Sequence, residues 1–227
     1  MRILAIDTAL EACSAAVLDT ETAAIAAHES QPMVRGHAEA LIPLIARVLE
    51  RARLTFTEID RIAVTTGPGS FTGLRVGISA ARGLALASGK PAVGLSTLAA
   101  YAAPFIAADD TLPVVAVIDA RHDHVYLQVF GPGGRTIVAP RLVPLREALR
   151  VASTGAPRLI GSAANMLAGA WPAGERPPSA VEQRQAPDID WVARLGAAAA
   201  ETGVPPKPLY LRAPDTQPQN AAQLARR

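Results

Sequence analysis

Between Thr65 and Arg75 the chain reads Thr-Thr-Gly-Pro-Gly-Ser-Phe-Thr-Gly-Leu-Arg: a strand end, a glycine-rich turn and a helix start in succession. Gly67, Gly69 and Gly73 let the backbone turn tightly and gather amide N–H groups at a helix N-terminus, where an anion is stabilised. Arg75 falls in the first helical turn, where a cation opposes the helix dipole unless an anion or a carboxylate meets it. Two readings of this loop stay open: an anion or nucleotide cradle, or a tight structural turn capped by Ser70 or Thr72. It is not a Walker loop, because no Gly-Lys-Ser/Thr closes it. A second candidate is Asp7 with Thr8, ending one apolar run, with Ser14 opening the next. An acidic group there either helps hold a metal-bound phosphate or simply turns the strand end. Asp119 ends a later run in the same way, but Ala120 and Arg121 supply no phosphate turn behind it.

Other chemistries lack their residues. His28, His37, His122 and His124 show no ligand spacing, and without a His-Glu-x-x-His pattern a zinc peptidase has nothing to bind its metal. Cys13 is the single cysteine, which excludes an intrachain disulfide or a multi-thiolate zinc site and fits a reducing compartment. Neither Cys13 nor any serine has a local base signature. No metal site and no catalytic residue is therefore expected.

The elements that would position these residues follow from periodicity. Short apolar segments at 2–7, 12–19 and 22–29 read as strands. From His37 to Ala52 the apolar residues fall on one helical face, with Pro43 placed early, where its missing N–H costs little. A buried strand at 60–66, a helix from Thr72 to about 88 and a strand at 91–95 follow, giving the order βββαβα. Residues 91–108 carry no charge but contain Pro91, Gly94 and Pro104, so they read as strand, turn and short helix rather than a membrane span. The second half repeats the order in shortened form, with strands at 113–119, 123–130 and 135–139, a helix near 144–152, a strand at 157–161 and a helix near 162–169. Residues 171–187 read as surface loop and 188–202 as a last helix. A duplicated unit of this kind is the architecture of the actin, hexokinase and heat-shock ATPase group. The expected units are residues 1–105, 106–212 (whose last helix is a candidate to pack back on the first) and a mobile tail, 213–227. On the helix after the glycine loop, Gly73, Gly77, Ala81 and Ala85 recur every four residues and form a ridge that another helix can approach closely.

The chain has 227 residues, 50% hydrophobic and 19% charged, which supports a packed core and excludes a disordered or fibrous chain. With a net charge of only +2 and 4% aromatics, no basic stripe for autonomous nucleic-acid binding is present. The start of the chain has too short an apolar run for a signal peptide, so a cytoplasmic, membrane-free protein is expected.

The segment from Met1 to Ser14, the Gly67–Arg75 loop, Val93 to Leu98, Ile118 to Arg121 with Val125 and Tyr126, and Tyr210-Leu211-Arg212 resemble the bacterial TsaB (YeaZ) family across essentially the whole chain. The resemblance implies two actin-like domains and a role in forming N6-threonylcarbamoyladenosine beside the anticodon of tRNAs reading codons that begin with A. In the family's catalytic relative, the TsaD subunit, two histidines after the corresponding strand hold the metal; Thr97 and Tyr101 stand in their places here. The implied protein is a non-catalytic scaffold that pairs with TsaD. It meets a TsaE-type ATPase and tRNA only through that complex, forms a homodimer when alone, and binds no cofactor by itself, with ATP or ADP at the interface of the assembled complex. The implied contact lies on helices 37–52 and 72–88. Its candidates are Leu41, Leu44, Ile45, Val48 and Ala52 on one and Leu74, Gly77, Ile78, Ala81 and Ala85 on the other; sequence does not separate contact from core. The rival reading is a stand-alone actin-like ATPase or small-molecule kinase, which would need a phosphate turn beside both Asp7 and Asp119.

Overall fold

In β1 (Arg2–Asp7), Leu4 and Ile6 join the cluster on one face and Ile3 and Ala5 the cluster on the other, and all four are fully buried. A strand apolar on both faces belongs in the middle of a sheet covered on both sides. In the computed structural model, which describes residues 1–153 and 155–212, β1 has that place. It pairs antiparallel with β2 (Ala12–Asp19), which pairs antiparallel with β3 (Ala24–Pro32). On its other side lie β4 (Arg61–Gly67) and β5 (Ala92–Ser96), both parallel, in the order β3-β2-β1-β4-β5. The second sheet is centred on β6 (Val114–Asp119). Antiparallel β7 (His124–Phe130) and β8 (Thr136–Pro144) flank it on one side, and parallel β9 (Arg158–Gly161) and β10 (Ala180–Gln183) on the other. Read as β8-β7-β6-β9-β10, it has the strand order and pairing senses of the first sheet. The protein is thus an α/β fold with two five-stranded mixed sheets.

Helices α1 (His37–Ala52) and α2 (Phe71–Ser88) cover the outer face of the first sheet. Leu41, Leu44, Ile45, Val48, Leu74, Ile78 and Ala81 pack there on Leu4, Ile6, Ile62 and Val64. Helices α4 (Leu145–Ala152) and α5 (Ala164–Gly169) cover the second sheet in the same way. The inner faces are covered crosswise. Helix α3 (Thr97–Ala108), which follows the first sheet in sequence, lays Leu98, Tyr101 and Ala102 against Val114, Ala116 and Ile118 of the second. Helix α6 (Ile189–Ala198), which follows the second sheet, lays Ile189, Val192 and Ala193 against Ile3, Ala5 and Ala63 of the first. A boundary at residue 105 therefore cuts through α3, which also sets Ala100 in the first-sheet cluster and so is shared by the two halves, while α6 lies wholly on the first sheet.

Two arginines fasten this exchange. Arg61, the first residue of β4, is buried and donates from Nη1 to the carbonyls of Gly196, Ala197 and Ala199 at 3.0, 3.1 and 3.0 Å, closing the C-terminal end of α6. Its Nη2 meets Glu201 at 2.6 Å. Arg158, the first residue of β9 and so the same position in the second sheet, donates to the carbonyls of Phe105, Asp109 and Leu112 at the end of α3. A cation among terminal carbonyls satisfies orphan acceptors and complements the negative end of the helix dipole.

Other boundaries differ from the periodic reading at sheet edges. β3 starts at Ala24, because Ala23 turns with a positive φ of 56°. β8 runs on to Pro144, since an edge strand tolerates the Pro140 that interrupts its alternation. The stretch 171–187 holds β10, four residues at the sheet edge and too short for a periodic signal. The last helix ends at Ala198 rather than 202. Pro43 is the seventh residue of α1, beyond the first turn, so it removes the donor that would meet the Glu39 carbonyl. The tail 213–227 lies outside the described residues. Among the described residues no helix is long and apolar enough to cross a membrane.

Replacing Arg158 by Ala leaves buried carbonyls at the end of α3 without a donor. Urea unfolding is expected to show a loss of about 3 kcal/mol, and Arg158→Lys recovers less than half, because an ammonium lacks the planar fork. An unchanged midpoint would show that the clamp contributes nothing.

Candidate functional site

The C-terminal ends of β1 and β6 face a cleft of about 640 Å³ between the two halves, bordered by Glu11, the Pro68–Phe71 loop, Asp119, Ser162 and residues 209–212. The two strand-end carboxylates differ sharply. Asp119 is exposed, and its Oδ1 accepts from the Arg121 N–H at 2.7 Å. Asp7 is fully buried, with Oδ1 accepting from the Thr65 hydroxyl and, at 3.1 Å, from the Ala9 N–H. Its Oδ2 meets no donor among the described residues. Burial pushes the Asp7 carboxyl from its ordinary 3.8 up to about 6, against the opposing pull of Thr65, Ala9 and His37. Thr8 is buried as well and donates from Oγ1 to the Gly73 carbonyl at 2.7 Å.

The glycine loop is shaped by the chain's own backbone. A Cβ at Gly69 would lie 2.3 Å from the Ala9 carbonyl oxygen, one at Gly73 2.0 Å from that of Thr8, and one at Gly77 2.5 Å from Thr8 Oγ1. At Gly67, φ is +116° and Leu209 O stands 2.9 Å from where a side chain would start. Of the two readings, the structural turn is the one these contacts describe. The Ser70 N–H donates to Ala9 O at 2.7 Å, and Ser70 Oγ caps α2 by accepting from Gly73 N–H at 3.3 Å. The Arg75 guanidinium lies 3.7 Å above the Phe71 ring, and Nε donates to the Tyr210 hydroxyl at 3.2 Å.

The small-residue ridge resolves in the same way. Gly73, Gly77 and Ala81 face β1 and β4 rather than a foreign helix. Of the ten interface candidates, Leu41, Leu44, Ile45, Val48, Leu74, Gly77, Ile78 and Ala81 are buried in the chain's own core, and Ala52 and Ala85 are partly buried against it. The amphipathic stripe that singled them out is therefore the sheet-facing side. Thr97 and Tyr101 are also turned inward. Tyr101 is 1% exposed, its hydroxyl donates to the Arg184 carbonyl at 3.0 Å, and burial raises its pKa further above the ordinary range. A neutral, internally bonded phenol and a buried threonine are poor metal ligands. Among the described residues no cluster of His, Cys, Asp or Glu could hold a metal. His37 is buried with Nε2 on the Leu10 carbonyl, while His28 is exposed and pairs with Asp190 of α6 at 2.6 Å. Sequence reasoning missed Thr65, Arg61 and Arg158. The two arginines had a legible signal, a lone arginine opening an apolar strand at the same place in each repeat.

Comparison with known proteins places this geometry. The model of the family described as TsaD, tRNA N6-adenosine threonylcarbamoyltransferase, matches residues 26–174, well over half of the chain. The chain belongs to this family, in its TsaB (YeaZ) branch. The tRNA threonylcarbamoyladenosine biosynthesis protein TsaB of Escherichia coli is 43% identical over 127 residues, 56% of this chain and 53% of that one, so the match spans about half of that relative. An uncharacterised protein of Mycobacterium tuberculosis is 34% identical over 95% of this chain and 94% of its own. The crystal structure of YeaZ from Pseudomonas aeruginosa superposes with a TM-score of 0.78 at 29% identity, covering 92% of this chain and 99% of that one.

Two predictions follow from the packing at the loop. Gly73→Ala forces a Cβ against the Thr8 backbone and is expected to cost at least ~2 kcal/mol, whereas Gly83→Ala, whose Cβ meets nothing within 4 Å, gains about 1 kcal/mol of helix propensity. Equal melting temperatures for the two variants would contradict the contact. For Asp7, the folded chain holds the proton up to about 6 while the unfolded chain releases it near 3.8, so stability falls as pH rises between those values. The accumulated loss by neutral pH is ~3 kcal/mol, from a shift of about two pH units at 1.36 kcal/mol each. Asp7→Asn keeps the acceptor for Thr65 and Ala9 and should flatten that slope in unfolding measured across the range. A wild-type slope that persists in the variant assigns it to another group.

Proposed function

We propose that the chain acts in tRNA threonylcarbamoyladenosine biosynthesis as a non-catalytic subunit that pairs with a catalytic TsaD-type relative. The observation that carries this reading is the inward packing of Thr97 and Tyr101, which leaves α3 as a core element where the relative presents metal ligands. The names of the relatives and the family match point to the same pathway. The repeated strand order fits the actin-like duplicated unit. The rival ATPase or kinase reading is weakened, since Asp7 is fully buried with Oδ1 held by Thr65 and Ala9, and the loop amide of Ser70 donates to the Ala9 carbonyl. ATP or ADP enters only at the interface of the assembled complex, and tRNA and a TsaE-type ATPase are met only through that complex.

With the sheet-facing stripes of α1 and α2 used up, the partner contact moves to their outer sides. On α1 the exposed residues Ala38, Ile42 and Ala46 recur every four positions, and on α2 Ser79, Gly83 and Leu86 line a neighbouring strip. Ile42 and Leu86 are 53% and 86% exposed, large apolar groups set among small ones that let a second pair of helices come close. The same strip would close a homodimer when the partner is absent.

Co-expression with the TsaD-type subunit and an affinity pull-down test this. Ile42→Arg and Leu86→Arg are expected to weaken pairing by at least ~2 kcal/mol, about thirtyfold, while melting stays normal. Leu44→Arg and Ala81→Trp, buried in the core, are expected instead to abolish cooperative melting. Surface variants that still co-purify with the subunit put the contact elsewhere.

A further inference from the structure

We propose that residues 205–212 are a strap that fastens the two halves together across the mouth of the cleft, with Arg212 as the anchor on the far side. The segment leaves α6 on the first sheet and runs past the C-terminal ends of β5 and β4. Pro206 is buried beside Gly94, where an added Cβ would come within 3.2 Å of the proline ring. The Leu209 N–H donates to the Thr66 carbonyl at 2.7 Å. The Tyr210 ring stands 5.2 Å from that of Phe71, and its hydroxyl accepts from Arg75. All of these partners belong to the first half. Two residues later the chain has reached the second half, where Arg212 Nη1 donates to the Ala120 carbonyl at 2.9 Å.

Each end of the strap is held by something stiff. Pro205, Pro206 and Pro208 restrict the segment to extended conformations, so little entropy is lost in ordering it. On the far side Arg121, His122 and Asp123 all take positive φ, at 62°, 52° and 55°, a tight turn that fixes the Ala120 carbonyl at the cleft edge. Leu209, Tyr210, Leu211 and Arg212 line the cleft themselves. Two-lobed α/β folds open and close by hinge motion around such a cleft; a tether bonded to both lips holds it at one width. This assigns a task to Tyr210-Leu211-Arg212 and to Arg75 that pairing through α1 and α2 does not use, so either proposal can fail alone.

Hydrogen–deuterium exchange on the full chain tests the strap. In Arg212→Ala, the Leu209 amide, three residues from the change and bonded to the other half, is expected to exchange about tenfold faster or more. The turn at 118–125 is expected to lose protection with it. Arg212→Lys, which keeps a donor, should recover part of the protection. Tyr210→Phe removes only the hydroxyl that accepts from Arg75 and should give a smaller loss at Leu209. Changes confined to residues 211–212, or a Leu209 amide indifferent to both variants, would overturn the proposal.

Discussion

Two buried guanidinium groups hold this molecule to its topology. Arg61 and Arg158 open equivalent strands, and each reaches across to close the last helix of the opposite half. A buried cation is costly unless its hydrogens are met, and here carbonyls at a helix end meet most of them, leaving Nε of each without a partner among the described residues. The arrangement turns the loose ends of α3 and α6 into fixed points. Everything between the sheets depends on those two helices staying where they are, including the cleft, the buried Asp7 and the departure of residues 199–212 from the first sheet.

Much of this was legible from the alternation and the helical period. The central strands and α1 and α2 carry dense apolar patterns, and their faces are the faces observed. What the pattern could not say is which neighbour each face meets. Leu44 and Ala81 look the same in sequence whether they cover their own sheet or another protein, and geometry assigns them to the sheet. Edges were read less well than centres, because β8 and β10 alternate weakly and contain or adjoin prolines. The last helix reads in sequence as a candidate to pack back on the first half, and α6 lies on the first sheet. The reach of α3 to the second sheet left no local trace, since that helix is apolar enough to sit on either sheet.

The glycine loop shows how one signal can have more than one cause. Gly69 and Gly73 do mark a close backbone approach, and an anion was one candidate for what approaches. The observed neighbours are Ala9 and Thr8, the turn leaving β1. The loop therefore ties α2 to the first strand and holds Asp7 away from water. Arg75, which looked like an unmet charge, finds an aromatic face and a hydroxyl supplied from 135 positions further along the chain, a partner no local window contains.

The crosswise covering also sets an order of events on the ribosome. The first sheet is complete in sequence at Ser96, yet the helix that covers its inner face ends at Ala198, about one hundred residues later. At ~5–20 residues per second, that face, with Ile3, Ala5 and Val93 on it, waits ~5–20 seconds for its cover. Throughout that interval the nascent chain offers an apolar sheet to whatever else is present. A chain of this kind therefore needs a holding chaperone most when it is half made, and a message truncated before codon 189 would yield a product with that surface permanently open.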